Sequence, residues 1–133
     1  MSENSNDISI VMHPIGFVNN IISDPAYARE KKDTESLIVL KSEYAEGLDN
    51  ITDFERIQVF FYFHLSESFS MIQKRRYDGK VAGVFASRSP RRPNGIGVTV
   101  VELLKVDNNI LHVKGLDAVN GTPVLDIKPY MSE

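Results

Sequence analysis

Residues 97–116 read GVTVVELLKVDNNILHVKGL. Two apolar runs rich in β-branched residues flank Asp107, Asn108 and Asn109, and asparagine tolerates the positive φ that a tight turn requires. This pattern predicts a β-hairpin. A second dense run, IQVFFYFH at residues 57–64, is too short for an isolated helix and predicts a central strand. The two stretches together favour a domain built mainly from strands.

Shorter strands separated by turns make up much of the remaining chain. They are predicted at Ile8–Phe17, Ser36–Leu40, Val81–Phe85 and Val124–Ile127. Pro14 favours an edge position for the first of them, because proline cannot donate a ladder hydrogen bond. Six or seven short strands and one short helix predict a mostly all-β fold, in which the sheet curls to limit its free edges.

Three further segments are predicted to lie outside the sheet. Residues 1–8, rich in Ser, Asn and acidic residues, are predicted as a disordered N-terminal tail, which leaves 9–133 as the domain. The polar, charged stretch Asp24–Glu35 predicts a loop. Ser42–Leu48 predicts one or two helical turns, with Ser42 as the N-cap.

Composition excludes several classes of protein. The chain has 133 residues, of which 42% are hydrophobic and 25% charged, so one domain can fill a core and stay soluble. It contains no cysteine, which excludes disulfides, thiolate catalysis, zinc ribbons and iron–sulfur ligation. No apolar run approaches the roughly 18 residues of a membrane span, so we expect a cytoplasmic protein that does not use a membrane.

Positive charge is concentrated in residues 74–92, although the chain carries a formal net charge of −3. Seven lysines or arginines in this segment face one acidic residue, Asp78. Such a dense group of cations attracts phosphate in a salt-dependent manner. A solvated loop paired with the acidic flanks is the alternative.

Within this segment lies SRSPRRPN at residues 87–94, which we call the arginine loop. Pro90 and Pro93 fix φ and lower the entropy lost on ordering, while Gly95 and Gly97 allow a backbone or ligand to approach closely. Arginine offers a planar fork for a carboxylate or phosphate and a face that stacks on a base. A stiff loop with arginine forks suits a nucleotide or an amino-acid carboxylate.

Near the C-terminus, Asp126, Lys128 and Tyr130 alternate along an extended stretch, so they point to one side. A carboxylate, an ammonium and a phenol on one face can bind a polar ligand and accept a proton. We therefore predict them as the catalytic group, and we expect this strand to meet the arginine loop around a ligand. An edge strand with a polar outer face is the alternative. The spacing of the three histidines fits no local metal motif, so no metal site is predicted.

Two long motifs resemble a known family. The run VFASRSPRRPNGIGVTVVELL at residues 84–104, followed by NILHVKGLDAVNGTPVLDIKPY at 109–130, is similar to the TsaA-like family, the TrmO-type tRNA methyltransferases. With KSEYAEGL and ITDFERIQVFFYFH upstream, the resemblance covers about residues 10 to 131. It implies a TsaA-like β-barrel with short helices, unlike the Rossmann-type methyltransferases, and it implies a homodimer.

The resemblance also implies a cofactor and a substrate. Family members bind S-adenosylmethionine and methylate N6 of N6-threonylcarbamoyladenosine next to the anticodon of certain tRNAs. A tRNA substrate implies RNA contacts from the basic segment, for which we predict Lys74, Arg75, Arg76, Arg91 and Arg92. The cofactor contacts carried over to this chain are Ala28, Arg29, Glu30, Phe63, His64, Arg88, Val98, Asp117, Ala118, Val119 and Asn120. Two positions depart from the family pattern. Gly95 replaces a usual proline, and Ala28-Arg29-Glu30 keeps only the arginine of Pro-Arg-Gln.

Other function classes remain open at this point. The same scaffold can carry a methyltransferase for a small phosphorylated metabolite, whose phosphate the basic segment binds. It can also carry a non-catalytic S-adenosylmethionine-binding module. RNA binding with a steep salt dependence favours the tRNA enzyme over both alternatives.

Overall fold

The computed structural model describes residues 7–31 and 33–131. The elements are β1 (Gly16–Asn19), α1 (Pro25–Ala28), β2 (Glu35–Leu40), β3 (Arg56–Tyr62), β4 (Ile72–Lys74), β5 (Val81–Gly83), β6 (Ile96–Asp107), β7 (Ile110–Lys114) and β8 (Pro123–Pro129). Six antiparallel strands close into a barrel in the order β1-β2-β7-β6-β3-β8, and β4 and β5 form a separate sheet. Short 3₁₀ helices cover Ser42–Leu48, Ile51–Asp53 and Val84–Ala86. The prediction of a mostly all-β barrel with short helices is confirmed.

Alternating apolar residues place the core inside the barrel. In β3, Ile57, Val59 and Phe61 are buried, whereas the residues between them are half-buried. β2 and β7 follow the same rule, and Ile38 in β2 and Leu111 in β7 are fully buried. Burial of such side chains is the main favourable contribution to the barrel, at about 25 cal/mol per Å² of apolar surface.

The predicted hairpin at residues 97–116 is confirmed as β6 and β7. Asn108 adopts a φ of 57° in its turn, a conformation that asparagine tolerates. β6 has 12 residues and pairs first with β3 and then with β7. A bulge between Leu103 and Lys105 follows the point where the partner changes. Because a bulge bends its strand, one long strand can serve two neighbours of the curled sheet.

Two segments differ from the prediction before β2. Ile8–Phe17 forms a strand only from Gly16 onward, since Pro14 lacks the donor that a continued ladder needs. The predicted loop Asp24–Glu35 contains α1. Its first turn forms because Asp24 Oδ1 accepts a hydrogen bond from Ala26 N at 2.9 Å, and because proline is favourable at the start of a helix.

The helical turns predicted at Ser42–Leu48 are confirmed as a 3₁₀ helix, but their N-cap is Lys41 rather than Ser42. Lys41 is the last extended residue after β2, with φ −62° and ψ 139°. Ser42 therefore already lies inside the first turn, where its hydroxyl caps no backbone N–H.

Outside the barrel, β4 and β5 form a two-stranded sheet with their connection. We call residues 72–83 the ribbon. Only Val81–Gly83 of the predicted strand Val81–Phe85 is extended, and its partner Ile72–Lys74 was not predicted. No residue of either strand is buried. The ribbon therefore lacks the apolar alternation by which the barrel strands were recognised.

Some predictions fall on residues that the structure does not describe. Of the predicted tail 1–8, residues 1–6 lie outside the described part, while Asp7 and Ile8 have no regular secondary structure. Lys32 and residues 132–133 are also outside it. The division into a tail and a domain at 9–133 stays a prediction. Within residues 7–31 and 33–131, no helix is long and apolar enough to cross a membrane.

Candidate functional site

A cavity of about 1070 Å³ opens at one end of the barrel. Its walls are residues 63–68 after β3, the start of β6, and parts of the arginine loop, the ribbon and α1, together with residues 117–119 and Thr122 before β8. Small-molecule sites usually measure about 300–1,000 Å³. This cavity therefore has room for a nucleotide-sized ligand and for part of a second reactant.

Two phenylalanines give the cavity an aromatic floor. Phe61, the last core residue of β3, and Phe63 beyond the strand meet edge to face, with ring centroids 5.2 Å apart. Gly97 in β6 makes room for both rings. A Cβ at Gly97 would lie 2.6 Å from Phe63 Cζ and 2.8 Å from Phe61 Cε2. The close approach predicted at Gly97 is made by the rings of Phe61 and Phe63.

Residues 117–119 form another part of the wall and are held in place by Asn20. The Nδ2 atom of Asn20 donates to the carbonyl of Ala118 at 2.9 Å, and its backbone N donates to Asn120 Oδ1 at 3.0 Å. Ala118 and Val119 are buried, whereas Asp117 is half-buried and lines the cavity. The position of the Asp117 carboxylate thus depends on a side chain about a hundred residues earlier.

Two arginines stabilise the conformation of the arginine loop by donating hydrogen bonds to backbone carbonyls. Arg92 Nη1 donates to the carbonyl of Ser87 at 2.8 Å, and Arg88 Nη2 donates to the carbonyl of Val98 at 2.8 Å. Arg91 is exposed, and among the described residues its guanidinium makes no hydrogen bond. All guanidinium N–H donors of Arg91 are therefore available to a ligand, whereas Arg88 and Arg92 offer only the N–H groups that do not bond to the carbonyls.

The cavity wall is positive although the chain as a whole is acidic. Its acidic side chains are Glu67 and Asp117. Its six basic side chains are Arg29, Lys74, Arg76, Arg88, Arg91 and Arg92. Charges of one sign around a cleft focus the field and raise the local concentration of an anionic partner. The arrangement therefore suits a ligand that carries several phosphates.

Polar contacts fasten the ribbon to the arginine loop and to the turn before it. Gln73 Nε2 donates to the carbonyl of Arg91 at 2.5 Å, and Arg75 Nη1 donates to the carbonyl of Ala86 at 3.2 Å. Arg75 also pairs with Asp78, with Nη2 to Oδ2 at 2.7 Å and Nε to Oδ1 at 3.1 Å. The hydrogen bond from Arg75 lowers the pKa of Asp78 below its ordinary value and raises the pKa of Arg75. The pair is therefore ionised at neutral pH.

Most of the residues predicted to contact the cofactor lie in the cavity wall. They are Ala28, Arg29, Phe63, His64, Arg88, Val98, Asp117, Ala118 and Val119. Glu30 and Asn120 are exposed and do not line it. Among the predicted RNA contacts, the structure places Lys74, Arg76, Arg91 and Arg92 in the wall. Arg75 lies behind it and is engaged by Asp78. A ligand contact by any of these residues stays a prediction.

The predicted catalytic group has a different location. Asp126, Lys128 and Tyr130 are all exposed, on the outer surface of the barrel, and none lines the cavity of its own chain. Lys128 Nζ lies 5.6 Å from the ring centroid of Phe60, which also faces outward. β8 begins at the cavity and runs away from it at about 3.3 Å per residue. A single chain therefore does not bring this group to the arginine loop.

Several cavity residues were not predicted as site residues from sequence, among them Phe61, Gln73 and Tyr77. Phe61 has the pattern of a core residue and serves both the core and the cavity. Gln73 and Tyr77 belong to the ribbon. Apolar and polar residues do not alternate clearly in its strands, so the sequence pattern did not predict the ribbon. An aromatic residue inside the run KRRYDGK was the available signal for Tyr77.

The described residues contain no group of three or more His, Asp or Glu side chains placed to hold a metal ion. His112 instead pairs with Glu35 on the barrel surface, with Nδ1 2.7 Å from Oε2. His64 lines the cavity as a single imidazole.

A family model described as the tRNA-methyltransferase O N-terminal domain matches residues 19–133. The chain therefore belongs to this family, as its two long motifs predicted.

Similar proteins differ in length. A probable S-adenosyl-L-methionine-binding protein of Methanothermobacter thermautotrophicus is 40% identical over 131 residues, which cover 96% of this chain and 94% of that protein. The human tRNA (adenine(37)-N6)-methyltransferase is 42% identical over 90 residues, which cover 65% of this chain and 20% of that protein. The crystal structure of TrmO from Pseudomonas aeruginosa matches with a TM-score of 0.76 and 28% identity, over 93% of this chain and 57% of that one. The chain thus spans only part of the last two proteins.

Proposed function

We propose that the protein is an S-adenosylmethionine-dependent methyltransferase that acts on N6 of the adenosine next to the anticodon of tRNA. The cavity carries this proposal, because six basic side chains surround an aromatic floor in a chain with net charge −3. Aromatic surface suits a nucleoside, and the surrounding cations suit a phosphate backbone. The name of the human relative supports the reaction, and the name of the archaeal relative supports the cofactor.

The residues of the cavity fit this cofactor. Phe61 and Phe63 offer aromatic surface to an adenine ring, and Gly97 leaves the adjoining backbone without a side chain. Arg29 at the end of α1 and the free donors of Arg88 suit the carboxylate of the amino-acid part. S-adenosylmethionine supplies an electrophilic methyl group carried by a sulfonium.

The chain itself contributes mainly by positioning. The arginine loop and the ribbon hold the RNA over the cavity, and the aromatic floor keeps water away from the reacting atoms. A proton acceptor at N6 adds roughly 10²- to 10⁴-fold to the rate. Within one chain, the acceptors in the wall are His64, Glu67 and Asp117.

We propose a homodimer, in which β8 of a second copy completes the cavity. Asp126, Lys128 and Tyr130 are exposed on the outer face and do not line their own cavity. They reach a substrate only if another copy presents them. In that arrangement Asp126 or Tyr130 accepts the proton, and Lys128 orients a carbonyl or phosphate.

We also propose that the substrate base carries the threonylcarbamoyl group. This group ends in a carboxylate, which a planar arginine fork binds with two parallel hydrogen bonds. Arg91 is the arginine of the loop whose guanidinium is uncommitted within the described residues, so we assign the carboxylate to Arg91. Because tRNA is its substrate, we place the protein in the cytoplasm.

The activity is tested with the full chain, methyl-labelled S-adenosylmethionine and bulk tRNA, followed by nucleoside analysis. We expect label in an N6-methylated adenosine derivative, and we expect Arg88→Ala to weaken cofactor binding in calorimetry. Arg56→Ala is the matched control, because Arg56 is exposed on β3 away from the cavity. Cofactor binding without any labelled RNA would contradict the tRNA activity and leave the two alternatives, a methyltransferase for a small phosphorylated metabolite and a non-catalytic binding module.

The finer assignments have separate tests. Activity on tRNA that lacks the threonylcarbamoyl group should be lower, and Arg91→Ala should remove most of that preference.

For the dimer, Asp126→Asn and Arg88→Ala are each expected to lose activity alone and to regain part of it when the two variants are mixed. No recovery after subunit exchange, verified by mass spectrometry, contradicts the shared site.

A further inference from the structure

The tip of the ribbon presents an aromatic residue at the rim of the cavity. Tyr77 lines the cavity and is 68% exposed, although a tyrosine ring gains stability when it is covered. It follows directly after Lys74, Arg75 and Arg76 in sequence. An aromatic ring exposed among cations is typical of proteins that bind single-stranded nucleic acid.

The ring is held from one side by a rigid support. The Arg75 guanidinium carbon lies 4.8 Å from the centroid of the Tyr77 ring. Arg75 is fixed in turn by its two hydrogen bonds to Asp78 and by a third to the carbonyl of Ala86. Asp78 Oδ1 also accepts from Lys80 N at 3.0 Å, which closes the turn. The tip is therefore ordered before any ligand arrives, so little entropy is lost when a base stacks on it.

The neighbouring cations are arranged differently from Arg75. Lys74 and Arg76 are exposed and line the cavity, whereas the Arg75 side chain is only 16% exposed and its charge is paired. Lys74 and Arg76 are thus available to phosphates. Arg75 supports the ring instead of meeting the backbone.

We propose that Tyr77 stacks on the unpaired base next to the target adenosine in the anticodon loop, with Arg75 as its positioning residue; this inference rests on the proposed tRNA substrate. The target base enters the cavity, and its neighbour lies on the Tyr77 ring at the rim. Lys74 and Arg76 hold the phosphates on either side of the stacked base. Stacking needs only a flat aromatic face, so the contact tolerates any base at that position.

The experiment measures binding of an anticodon stem-loop RNA that carries 2-aminopurine at one loop position at a time. With the wild-type chain we expect the fluorescence to be quenched at the position beside the target adenosine. Tyr77→Ala should abolish that quenching and weaken binding about 5- to 100-fold. Tyr77→Phe keeps the ring and should bind within about twofold of the wild type. Phe85→Ala is the matched control, because Phe85 is 75% exposed near the ribbon and does not line the cavity.

Salt dependence separates stacking from charge. Arg76→Ala should lower the slope of log affinity against log salt by about one phosphate, whereas Tyr77→Ala and Arg75→Ala should weaken binding with the slope nearly unchanged. Tyr77→Ala should keep the wild-type circular dichroism spectrum and thermal unfolding midpoint, because the Tyr77 side chain is 68% exposed, and this verifies that the variant is folded.

Equal RNA binding by Tyr77→Ala and the wild type overturns the stacking role, and if the wild type still methylates tRNA the proposed function stands. A wild-type chain that neither binds nor methylates tRNA removes both. A fall of the salt slope by about one phosphate in Arg75→Ala, as expected for Arg76→Ala, overturns its positioning role and makes it a phosphate contact.

Discussion

The barrel and the ribbon are held together by different forces. In the barrel, every strand contributes at least one buried apolar residue, and Ile57, Val59 and Leu111 have no exposed surface. In the ribbon, no residue from 72 to 81 is buried. Its position depends on hydrogen bonds from Gln73 and Arg75 to carbonyl groups of other segments. The scaffold is therefore fixed by apolar burial, whereas the cavity wall is fixed by a few polar contacts.

Substitutions in the two regions should therefore affect different properties. A change in the barrel core should lower the stability of the whole protein. A change in the ribbon or the arginine loop should leave the barrel folded and alter ligand binding, because the energy that holds the wall is local.

The largest effect is expected for a core substitution. Leu111→Ala removes a fully buried side chain and should lower the free energy of unfolding by about 2–5 kcal/mol. Ile72→Ala in the ribbon, where the side chain is 62% exposed, should change it by no more than about 0.5 kcal/mol. Denaturant unfolding of both variants measures the contrast. Similar losses would mean that the ribbon belongs to the same cooperative core.

A smaller effect is expected where the barrel meets the cavity. Gly97→Ala places a methyl group against Phe61 and Phe63, so both rings must shift, at a cost of about 1–3 kcal/mol. Cofactor affinity should fall as well, because these rings form the floor. Gly47→Ala is the matched control, since a Cβ at Gly47 meets nothing within 4 Å. Unchanged cofactor affinity in Gly97→Ala would place the adenine ring elsewhere.

The contact between ribbon and arginine loop should have a local effect. Gln73→Ala removes the hydrogen bonds to the carbonyls of Arg91 and Ser70, each worth about 0.5–1.5 kcal/mol. Hydrogen exchange in residues 87–94 should become faster, while β3 and β7 keep their protection. Gln58→Ala on β3 serves as the control. Faster exchange throughout the barrel would contradict a separate, locally held wall.

The smallest effect concerns pH at the tip of the ribbon. The pKa of Asp78 is lowered in the folded protein. The ionised Asp78 carboxylate therefore contributes to stability above the ordinary aspartate pKa of about 3.9, and this contribution is lost as the pH falls through the pKa of Asp78 in the folded protein. Nuclear magnetic resonance signals of the Arg75 side chain should stay constant from about pH 5 to 8 and change only in more acidic solution. A transition near neutral pH would mean that a titrating group other than Asp78 controls the environment of the Arg75 side chain.

Those parts of the site that depend on local pattern could be predicted from the amino-acid sequence. The arginine loop and residues 117–119 were recognised because prolines, glycines and long motifs mark them, and the structure brings both to one cavity. Gln73 and Tyr77 were missed because the ribbon has no alternation. The support that Asn20 gives to residues 117–119 was missed because it joins positions far apart in the chain.

Local sequence features specify the strands of the barrel, the hairpin turn at Asn108 and the concentration of charge in residues 74–92, since alternation, turn chemistry and charge are local properties. Which of these charges remain available to a ligand depends on the packing of distant segments. The tertiary structure paired Arg75 with Asp78, used Arg88 and Arg92 to fold the loop, and left Asp126 on the outer face of β8. The reason is geometric: the partner of a long polar side chain depends on how distant segments pack, and neighbouring residues do not encode it.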